Sequence, residues 1–406
     1  MDVLSREMLA SLAGCDDDRL QQIEQLRIIE AGAAGYAGSD VSRLRLVLAL
    51  NDAGIALETL AEGLRRQVVS LDFASQLMFE PVTISQTPLS AALERSPLDL
   101  EKLNALHSSA GLPPMSPVRA LREDDLEFIR LVAECVALGA SGDGMHRVLR
   151  VFGQSMRRCV DTMRDLFRSE VEAPMLQAGL GHREVLAAGA AKRLELQRIG
   201  MRMLFLLQRR LLEEAVFDNV VGRLQEALRG VGDDRWLDAE ADRPLPAVAF
   251  ADLSGFTALT QDIGDLKAAE KAAGFEALAQ RLCSNFGGRI VKPLGDGVMM
   301  LFPDSGAALR TALSLVEQSA AHDLPDVRVG VATGQVVPRD GDIFGQTVNL
   351  AARIAAAAAP SQILACRSTH GDAAGNFDAT DFIPLAPLSL KGLPEPVLLY
   401  SVTRRL

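Results

Sequence analysis

The stretch LPAVAFADLSGFTAL at residues 245–259 and the stretch RIVKPLGDGVMMLF at residues 289–302 decide the fold of the second half of the chain. The first is an apolar run that ends at Asp252, after which a glycine turn opens a helical pattern. The second has two apolar runs folded about a Gly-Asp-Gly turn centred on Asp296, which predicts a hairpin with an acid at its tip. Together these elements would place two carboxylates beside each other. Because carboxylate pairs hold oxygen-preferring cations against polyphosphates, the pattern indicates a nucleotide enzyme.

Length and composition indicate a globular protein with more than one domain. A chain of 406 residues is long enough for roughly two or three domains with separate cores. Hydrophobic residues make up 48% and charged residues 23%, which is typical of globular proteins. The formal net charge of −11 argues against an extended nucleic-acid surface, because neutralisation of phosphates dominates that kind of affinity. The net charge does not exclude a small basic patch.

Cysteine usage and the absence of long apolar runs predict a soluble, cytoplasmic protein. The cysteines are odd in number, scattered and without a CxxC pair, which favours reduced thiols over a disulfide framework or a zinc site. They are Cys15, Cys135, Cys159, Cys283 and Cys366. No amino-terminal segment resembles a signal peptide, and no apolar run approaches the roughly 20 residues of a membrane helix. The segment MRMLFLL at 201–207 is too short and is flanked by arginines.

The first half of the chain has a helical pattern almost throughout. An apolar stripe repeats at helical spacing over 149–166, and a last long helix is predicted from about 183 to 229, with Gly230 as its stop. Residues 231–244 are rich in aspartate and proline, which is typical of a linker. The predicted domains are an all-helical one over 1–230 that ends in the long helix, the linker over 231–244, and a second domain over 245–406.

The second half alternates strands and helices. The predicted elements are strand 245–253, helix 256–285, hairpin 288–302, helix 307–321, strand 327–333, a second hairpin ending near 342, helix 346–358, and strands 362–366, 382–390 and 397–403. The order βαββαβ, with additions at the end, predicts a ferredoxin-like sheet covered by helices on one face. The predicted fold class is therefore α+β, with an all-α domain before the ferredoxin-like one.

The two acids are the strongest candidates for metal ligands. Asp252 and Asp296 each lie where a strand ends at glycine, so each can reach a ligand without burying an unpaired charge. Aspartate beside glycine is also common in tight turns, and for one such dipeptide alone turn chemistry would suffice. Two acids on adjacent predicted strands favour metal binding. The backbone N–H groups of Gly255, Phe256 and Thr257, at the opening turn of the helix between them, could hold phosphate oxygens.

A polar pair follows in the segment GQTVNLAARI. Asn349 and Arg353 are spaced i, i+4 and so share one face of a predicted helix. A solvated helix face is a reasonable alternative. Against it, the Gly345-Gln346-Thr347 entry to the helix is tight, and an arginine directed at a phosphoryl centre would stabilise charge that develops in the transition state.

Lys292 and Asp342 complement the edge of adenine. Lys292 lies four residues before Asp296, and Asp342 lies seven residues before Asn349. Adenine presents N1 as an acceptor and its 6-amino group as a donor, which a lysine and a carboxylate match. Guanine reverses this demand, so the pair would select ATP over GTP, each mispaired buried group costing about 1–3 kcal/mol. Taken alone, either residue is simply a surface charge.

From about 245 to 403 the chain resembles the catalytic domain of class III adenylate cyclases. The segments FADLSGFT, VKPLGDGVMMLF, GDIFGQTVNLAARI and LKGLPEPVLLY match that family in order and spacing, over roughly two-fifths of the chain. The resemblance implies synthesis of 3′,5′-cyclic AMP and pyrophosphate from ATP, with two Mg²⁺ or Mn²⁺ ions per active site. A catalytically silent, cyclase-like module that binds nucleotide and signals is the alternative.

Position by position, the resemblance implies a role for each candidate. These roles are ligation of the metal ions by Asp252 and Asp296, adenine binding by Lys292 and Asp342, orientation of the ribose by Asn349, and stabilisation of the pentavalent phosphorus by Arg353. All six positions carry the residues of an active cyclase. In the family, the metal pair and the remaining set come from opposite subunits of a head-to-tail dimer. The resemblance therefore implies a homodimer with two interfacial active sites.

The helical half resembles, in layout, the regulatory domains of soluble mycobacterial-type adenylate cyclases, some of which are inhibitory, pH-responsive or able to bind fatty acid. A pH, small-molecule or lipid signal is therefore an expectation for this half. His107, His146 and His182 could titrate near neutrality, although a lone histidine is more often structural. An apolar pocket among its Met- and Leu-rich helices could hold a lipid or be ordinary core. Residues 48–64 have a helix-Gly-helix pattern that suggests a DNA-reading module, but the acidic composition favours a packed helical hairpin.

Overall fold

The chain forms two compact units, Met1–Ala227 and Leu228–Leu406. The computed structural model describes residues 3–72, 74, 85, 87–116, 121–228, 245–373 and 380–405. The linker predicted over 231–244 lies outside the described residues. All five cysteines carry free thiols. Within the described ranges, no helix combines the length and the apolarity that crossing a bilayer requires.

The described part of the first unit is helical. Its helices are α1 (Arg6–Ala13), α2 (Asp17–Gln25), α3 (Gly38–Asp52), α4 (Leu57–Arg65), α5 (Leu89–Glu94), α6 (Leu100–Ser109), α7 (Glu123–Ala137), α8 (Gly142–Phe167), α9 (Ala173–Gln177) and α10 (His182–Ala227). A π-helical segment, Arg168–Glu172, joins α8 to α9. Several helices begin where the sequence supplies a cap: the side chains of Ser5, Asp16 and Ser141 accept N–H groups from the first turns of α1, α2 and α8. Local sequence therefore fixes these helix starts.

Two separate cores hold the shorter helices of this unit together. One lies among α1 to α4 and includes the fully buried Leu9 and Leu44. The other lies among α5 to α7 and includes Leu103 and Ile129. The longer helices differ, because much of their apolar surface stays exposed. On α8 the predicted stripe is only partly buried, and on α10 the exposed apolar side chains include Met201, Met203, Phe205, Leu206, Leu207, Leu211, Leu212, Val216, Phe217, Val220, Val221 and Leu224.

The second unit is built on one sheet. Its elements are β1 (Ala247–Leu253), α11 (Phe256–Ile263), α12 (Asp265–Asn285), β2 (Arg289–Pro293), β3 (Gly297–Phe302), α13 (Ser305–Ser319), β4 (Val327–Thr333), β5 (Val337–Arg339), β6 (Asp342–Phe344), α14 (Gln346–Ala357), β7 (Ile363–Cys366), α15 (Arg367–Ala373), β8 (Thr380–Pro384) and β9 (Leu399–Arg404). The sheet has the order β2-β3-β1-β4-β7-β9-β8, and β5 pairs with β6 alone. The first four strands and their helices follow the βαββαβ order, so the predicted α+β, ferredoxin-like fold is confirmed.

Helices cover both faces of the sheet, so the prediction of a single covered face is wrong. Residues of α12 and α13 pack with Ala249 and Ala251 of β1 on one face. Residues of α14 pack with Val248 of β1 and Met299 of β3 on the other. The alternating strand residues are apolar on both sides, which is the pattern of a sheet buried on both faces. The helix on the second face, α14, comes after β4 in the chain. It therefore lies outside the βαββαβ segment on which the prediction rests.

Two predicted element boundaries are also corrected. The helix predicted over 256–285 is broken at Gly264, whose φ of 82° and ψ of 159° lie outside helical geometry. The strand predicted over 382–390 ends at Pro384, and only an isolated bridge between Leu388 and Val397 continues the pairing. Proline has no N–H to donate to a strand ladder, which accounts for the early end.

Candidate functional site

The two predicted metal ligands lie beside each other at one end of the sheet. Asp252, near the end of β1, pairs across the ladder with Gly297, the residue after Asp296. The amide of Leu253 donates to the carbonyl of Asp296 over 3.0 Å, which ties the tip of the β2–β3 hairpin to the end of β1. Strand register and this hydrogen bond therefore bring the two acids together, as the local patterns predict.

Asp252 has a perturbed carboxyl. Burial raises its pKa above the ordinary 3.8, the negative charge of Asp296 raises it further, and hydrogen bonds from Arg328 oppose both effects. The Arg328 guanidinium donates to Asp252 Oδ2 through Nε over 3.0 Å and through Nη2. Crowding of two acids in a partly buried place is the arrangement that a bound cation relieves.

The donor set fits divalent cations. Two carboxylates supply the hard oxygen ligands that Mg²⁺ and Mn²⁺ prefer, and such ions commonly complete their shells with substrate phosphates and water. Gly297 leaves space beside the carboxylate of Asp252, because a Cβ built on this residue would lie 2.9 Å from Asp252 Oδ1. Within the described residues, no group of three or more His, Cys, Asp or Glu side chains surrounds a common point.

Arg328 is a site residue that the sequence reasoning missed. It lies on β4, directly opposite Asp252 in the antiparallel β1–β4 ladder. The signal in the sequence is an arginine inside the otherwise apolar run VRVGVAT at 327–333. A charge inside a buried strand needs a partner, but only the register shows that this partner is Asp252.

The opening turn of α11 lies immediately beyond the acids. Gly255 has a φ of 71°, a left-handed conformation that suits glycine, and it serves as the N-cap of this helix. No side chain caps the helix, so the amides of its first turn, including those of Phe256 and Thr257, have no intrahelical acceptor. Helix geometry thus supplies free N–H donors where a polyphosphate held by the acids would lie.

Lys292 and Asp342 form an ion pair between β2 and β6. A β-bulge between Ile290 and Lys292 shifts the register, so that Lys292 lies opposite Met299 and shares its face of the sheet. Burial acts to raise the pKa of Asp342, but hydrogen bonds from Lys292 and from the Ile343 amide outweigh it and leave the pKa below its ordinary value. The predicted adenine pair is therefore brought together within one chain.

Asn349 and Arg353 are not brought to the acids of their own chain. Both side chains are exposed, whereas Ala351, Ile354 and Ala355 of the same helix are buried against the sheet. At 100° per residue, Asn349 and Arg353 lie on the side of α14 opposite that buried face. Within the described part of the chain, neither side chain has a hydrogen-bonding or ionic partner. Both side chains therefore face outward, away from the sheet on which α14 packs.

The position of α14 is fixed by a close approach to β4. A Cβ added to Gly330 would lie 2.1 Å from the amide nitrogen of Ala355 and 2.7 Å from the carbonyl oxygen of Ala351. At the start of the helix, Thr347 Oγ1 donates to the carbonyl of Gln335 over 2.8 Å. The helix that carries Asn349 therefore has little freedom to move toward or away from the sheet.

The candidates of the first unit have structural partners. His107 is buried, 3.2 Å from the Pro113 carbonyl through Nδ1 and edge-on to Phe128, and it lines a cavity of about 320 Å³. His146 Nδ1 lies 2.9 Å from Ser109 Oγ. His182 begins α10. Residues 48–64 form the end of α3, a turn and α4; Leu48, Leu57 and Leu60 lie in the core, as in a packed helical hairpin, whereas Ile55 in the turn is exposed.

Comparison with known proteins places these features in a family. A family model described as the adenylate and guanylate cyclase catalytic domain matches residues 246–402. An adenylate cyclase of Streptomyces coelicolor is 34% identical over 282 residues, which are 68% of this chain and 69% of that protein. An uncharacterized protein of Mycobacterium tuberculosis is 30% identical over 379 residues, 91% of this chain and 92% of its own length. A pH-sensitive adenylate cyclase of M. tuberculosis is 29% identical over 325 residues, 76% of this chain and 75% of that protein. The similarity thus reaches into both units.

Proposed function

The chain belongs to the class III adenylate cyclases, and we propose that it converts ATP to 3′,5′-cyclic AMP and pyrophosphate at the interface of a homodimer, under control of its helical unit. One observation carries the proposal. Asp252 and Asp296 lie together at one end of the sheet, whereas Asn349 and Arg353 project from the outer side of α14. One subunit therefore offers two halves of a site that face different directions, and a second subunit would unite them.

Asp252 and Asp296 would hold two divalent cations, for which their oxygens and the space at Gly297 are suited. When bound, Mg²⁺ or Mn²⁺ supplies positive charge that lowers the pKa of the ribose 3′-hydroxyl and neutralises the triphosphate. The side chain of Arg328, which pairs with Asp252, adds a protein cation at the same end of the sheet. These groups attract and orient the anionic part of ATP.

The remaining residues position the nucleotide and stabilise charge. The amides of Gly255, Phe256 and Thr257 would bind phosphate oxygens at the start of α11. Lys292 and Asp342 would bind the N1 and 6-amino edge of adenine, and their ion pair keeps this donor and this acceptor next to each other. Phosphoryl chemistry of this kind asks the protein for positioning and charge stabilisation rather than for covalent steps.

The partner subunit would complete the site with its adenine pair and with its α14. Asn349 would orient the ribose so that its 3′-hydroxyl faces the α-phosphorus in line with the departing pyrophosphate. Arg353 would stabilise the negative charge on the pentavalent phosphorus. Two identical subunits arranged head to tail about a two-fold axis give two such sites.

An assay of cyclic AMP formation tests the proposal. We expect the full-length protein to form cyclic AMP from ATP with Mn²⁺ and to be far less active with GTP. Asp296→Ala removes a proposed cation ligand and should abolish turnover. Cyclic AMP formation that persists in this variant would contradict the metal assignment. A wild-type dimer that binds ATP without turnover would instead support a silent nucleotide-binding module.

Control by the helical unit has its own test. We propose that this unit shifts how the two catalytic units meet, and so changes the fraction of complete sites. The supporting observation is the 46-residue helix α10, which ends just before the segment leading to the catalytic unit. Deleting residues 1–230 should change the specific activity and its pH profile. Equal activity and equal pH dependence of the full-length and truncated proteins would reject the coupling.

A further inference from the structure

Ser254 carries a hydroxyl that the resting site does not use. Its Oγ is buried, and within the described residues it has no hydrogen-bond partner. The residue lies between Asp252 and the first turn of α11, at the centre of the proposed site. We infer that the Ser254 hydroxyl binds a phosphate oxygen of the nucleotide. This inference rests on the proposed function and adds a side-chain ligand to it.

The backbone of Ser254 is held on both sides. Its amide donates to the carbonyl of Asp326 over 2.7 Å, and the amide of the preceding Leu253 donates to the carbonyl of Asp296 over 3.0 Å. The following residue, Gly255, is the left-handed N-cap of α11. Because the main chain is fixed, the hydroxyl can reach a ligand only by rotation about χ1. Serine makes this rotation readily among its staggered rotamers.

Other serines of this chain show what Ser254 does not do. Ser5 and Ser141 precede helices, and each accepts an N–H group from the first turn of its helix. Ser254 also precedes a helix, yet α11 has no side-chain cap. The Ser254 hydroxyl therefore does not cap α11, and among the described residues it has no partner.

The first-turn amides of α11 are donors, and the Ser254 hydroxyl can donate as well as accept, so an acceptor oxygen could pair with all of them. The nearby carboxylate of Asp326 already accepts from Ser361 Oγ over 2.8 Å. A phosphate oxygen carries negative charge and several lone pairs, and it can accept from a hydroxyl and from backbone amides together. A buried polar group without a partner costs free energy, and binding a phosphate would remove that cost.

The test compares three full-length variants. Ser254→Ala removes the hydroxyl, Ser254→Thr keeps one, and Ser361→Ala removes a hydroxyl that is already hydrogen-bonded. The probes are α,β-methylene-ATP, which cannot be cyclised, then pyrophosphate, both with Mn²⁺, and adenosine alone. Affinities are measured by calorimetry, and melting temperatures are measured without ligand.

We expect Ser254→Ala to weaken the analogue and pyrophosphate by about tenfold, the loss of one hydrogen bond to a charged group. Its affinity for adenosine should be unchanged, and its melting temperature unchanged or higher, because an unpaired buried group is removed. Ser254→Thr should retain most of the affinity, and Ser361→Ala should bind the analogue as wild type does. In turnover, KM for ATP should rise more than kcat falls.

Three results would overturn the inference. They are analogue affinity in Ser254→Ala equal to that of wild type, a loss confined to adenosine, and a fall in melting temperature without a fall in affinity. If the analogue binds wild type and cyclic AMP is formed, these results leave the proposed function standing. A wild-type protein that binds no analogue and forms no cyclic AMP overturns both.

Discussion

The two units of this molecule differ in how far they bury their apolar side chains. In the catalytic unit, β1 and β4 are buried on both faces, and Val248, Ala249 and Val331 have no exposed surface. In the helical unit, α10 leaves Phe217 71% exposed and Leu211 64% exposed. The catalytic unit thus buries the apolar residues of its central strands, whereas the helical unit exposes apolar residues along much of its longest helix.

The exposed apolar residues of α10 and the outward placement of Asn349 and Arg353 are both compatible with the proposed homodimer. Residues 199–228 contain four arginines and four acids, so this segment has no net charge. A balanced, apolar helix does not match an anionic lipid surface or a nucleic acid, which require excess positive charge. Contact with a second copy of this helix needs no excess charge, and the proposed homodimer would supply that copy.

The largest effect concerns the division of the site. Asp296→Ala and Arg353→Ala should each abolish activity in homodimers, because each removes one half of both sites. When equal amounts of the two variants exchange subunits freely, half of the dimers contain one intact site, so about a quarter of the wild-type activity should return. Cyclic AMP formation over a titration of one variant against the other measures this recovery.

The control for this experiment is a mixture of Asp296→Ala with Asp252→Ala. Both changes damage the same half of the site, so no pairing of these subunits contains an intact one. Recovery in the control mixture, or none in the test mixture, would contradict a shared site.

The next effect concerns the glycine beneath α14. Gly330→Val should push the helix away from β4, because even a Cβ at this position meets backbone atoms of Ala355 and Ala351. We expect most of the activity to be lost and the free energy of unfolding to fall by about 1–3 kcal/mol. Urea unfolding and a turnover assay would measure the two losses.

Gly371→Ala is the matched control for that change. Gly371 lies in α15, and nothing lies within 4 Å of an added Cβ. Alanine is favoured over glycine inside helices, so this variant should be as stable as wild type or more so. Equal behaviour of the two variants would show that the close approach of α14 does not matter.

A smaller effect is expected on α10. Replacing Leu211 and Leu212 together by Glu should weaken self-association of the full chain by about tenfold or more, because both side chains are at least 60% exposed and would be buried between subunits. Leu138→Glu alters an 89% exposed apolar residue at the end of α7 and serves as the control. Sedimentation at several concentrations measures both. Unchanged association of the double variant would leave α10 without a role in pairing.

The smallest effect concerns the ion pair of Lys292 and Asp342. Asp342→Asn should lower stability by about 0.5 kcal/mol, since Lys292 is 43% exposed and water screens the pair. The pKa of Asp342 lies below 3.8, so its contribution is present above that value and is lost as pH falls through the lowered pKa. The difference in unfolding free energy between wild type and variant should therefore be the same at about pH 7 and about pH 5. A difference that disappears by pH 5 would contradict the lowered pKa.

The sequence predicted the features that depend on local patterns. Apolar runs broken by glycine predicted the βαββαβ order. The acids at the ends of these runs predicted that Asp252 and Asp296 lie next to each other. Their role in metal binding stays a prediction. Helical periodicity also identified the helical half, although it did not distinguish a buried apolar stripe from the exposed apolar residues on α8 and α10.

The features that the sequence did not predict depend on register and on distant contacts. The β-bulge before Lys292 changes which face that residue occupies, and no glycine or other turn residue lies between Ile290 and Lys292 to signal it. Arg328 becomes a site residue only because the β1–β4 register places it opposite Asp252. The packing of α14 on the second face depends on Gly330, because a Cβ at this position would clash with the backbone of the helix. The sequence alone does not show that the helix and the glycine meet.

The ion pair between Arg328 and Asp252 has a consequence for how the site is filled. Without ligands, the guanidinium already serves as a counter-ion for one of the two acids. An incoming cation would therefore replace a positive charge, and the arginine released from Asp252 would become available to the triphosphate. Loading of the metal and capture of the nucleotide would then favour each other, and neither would be tight alone.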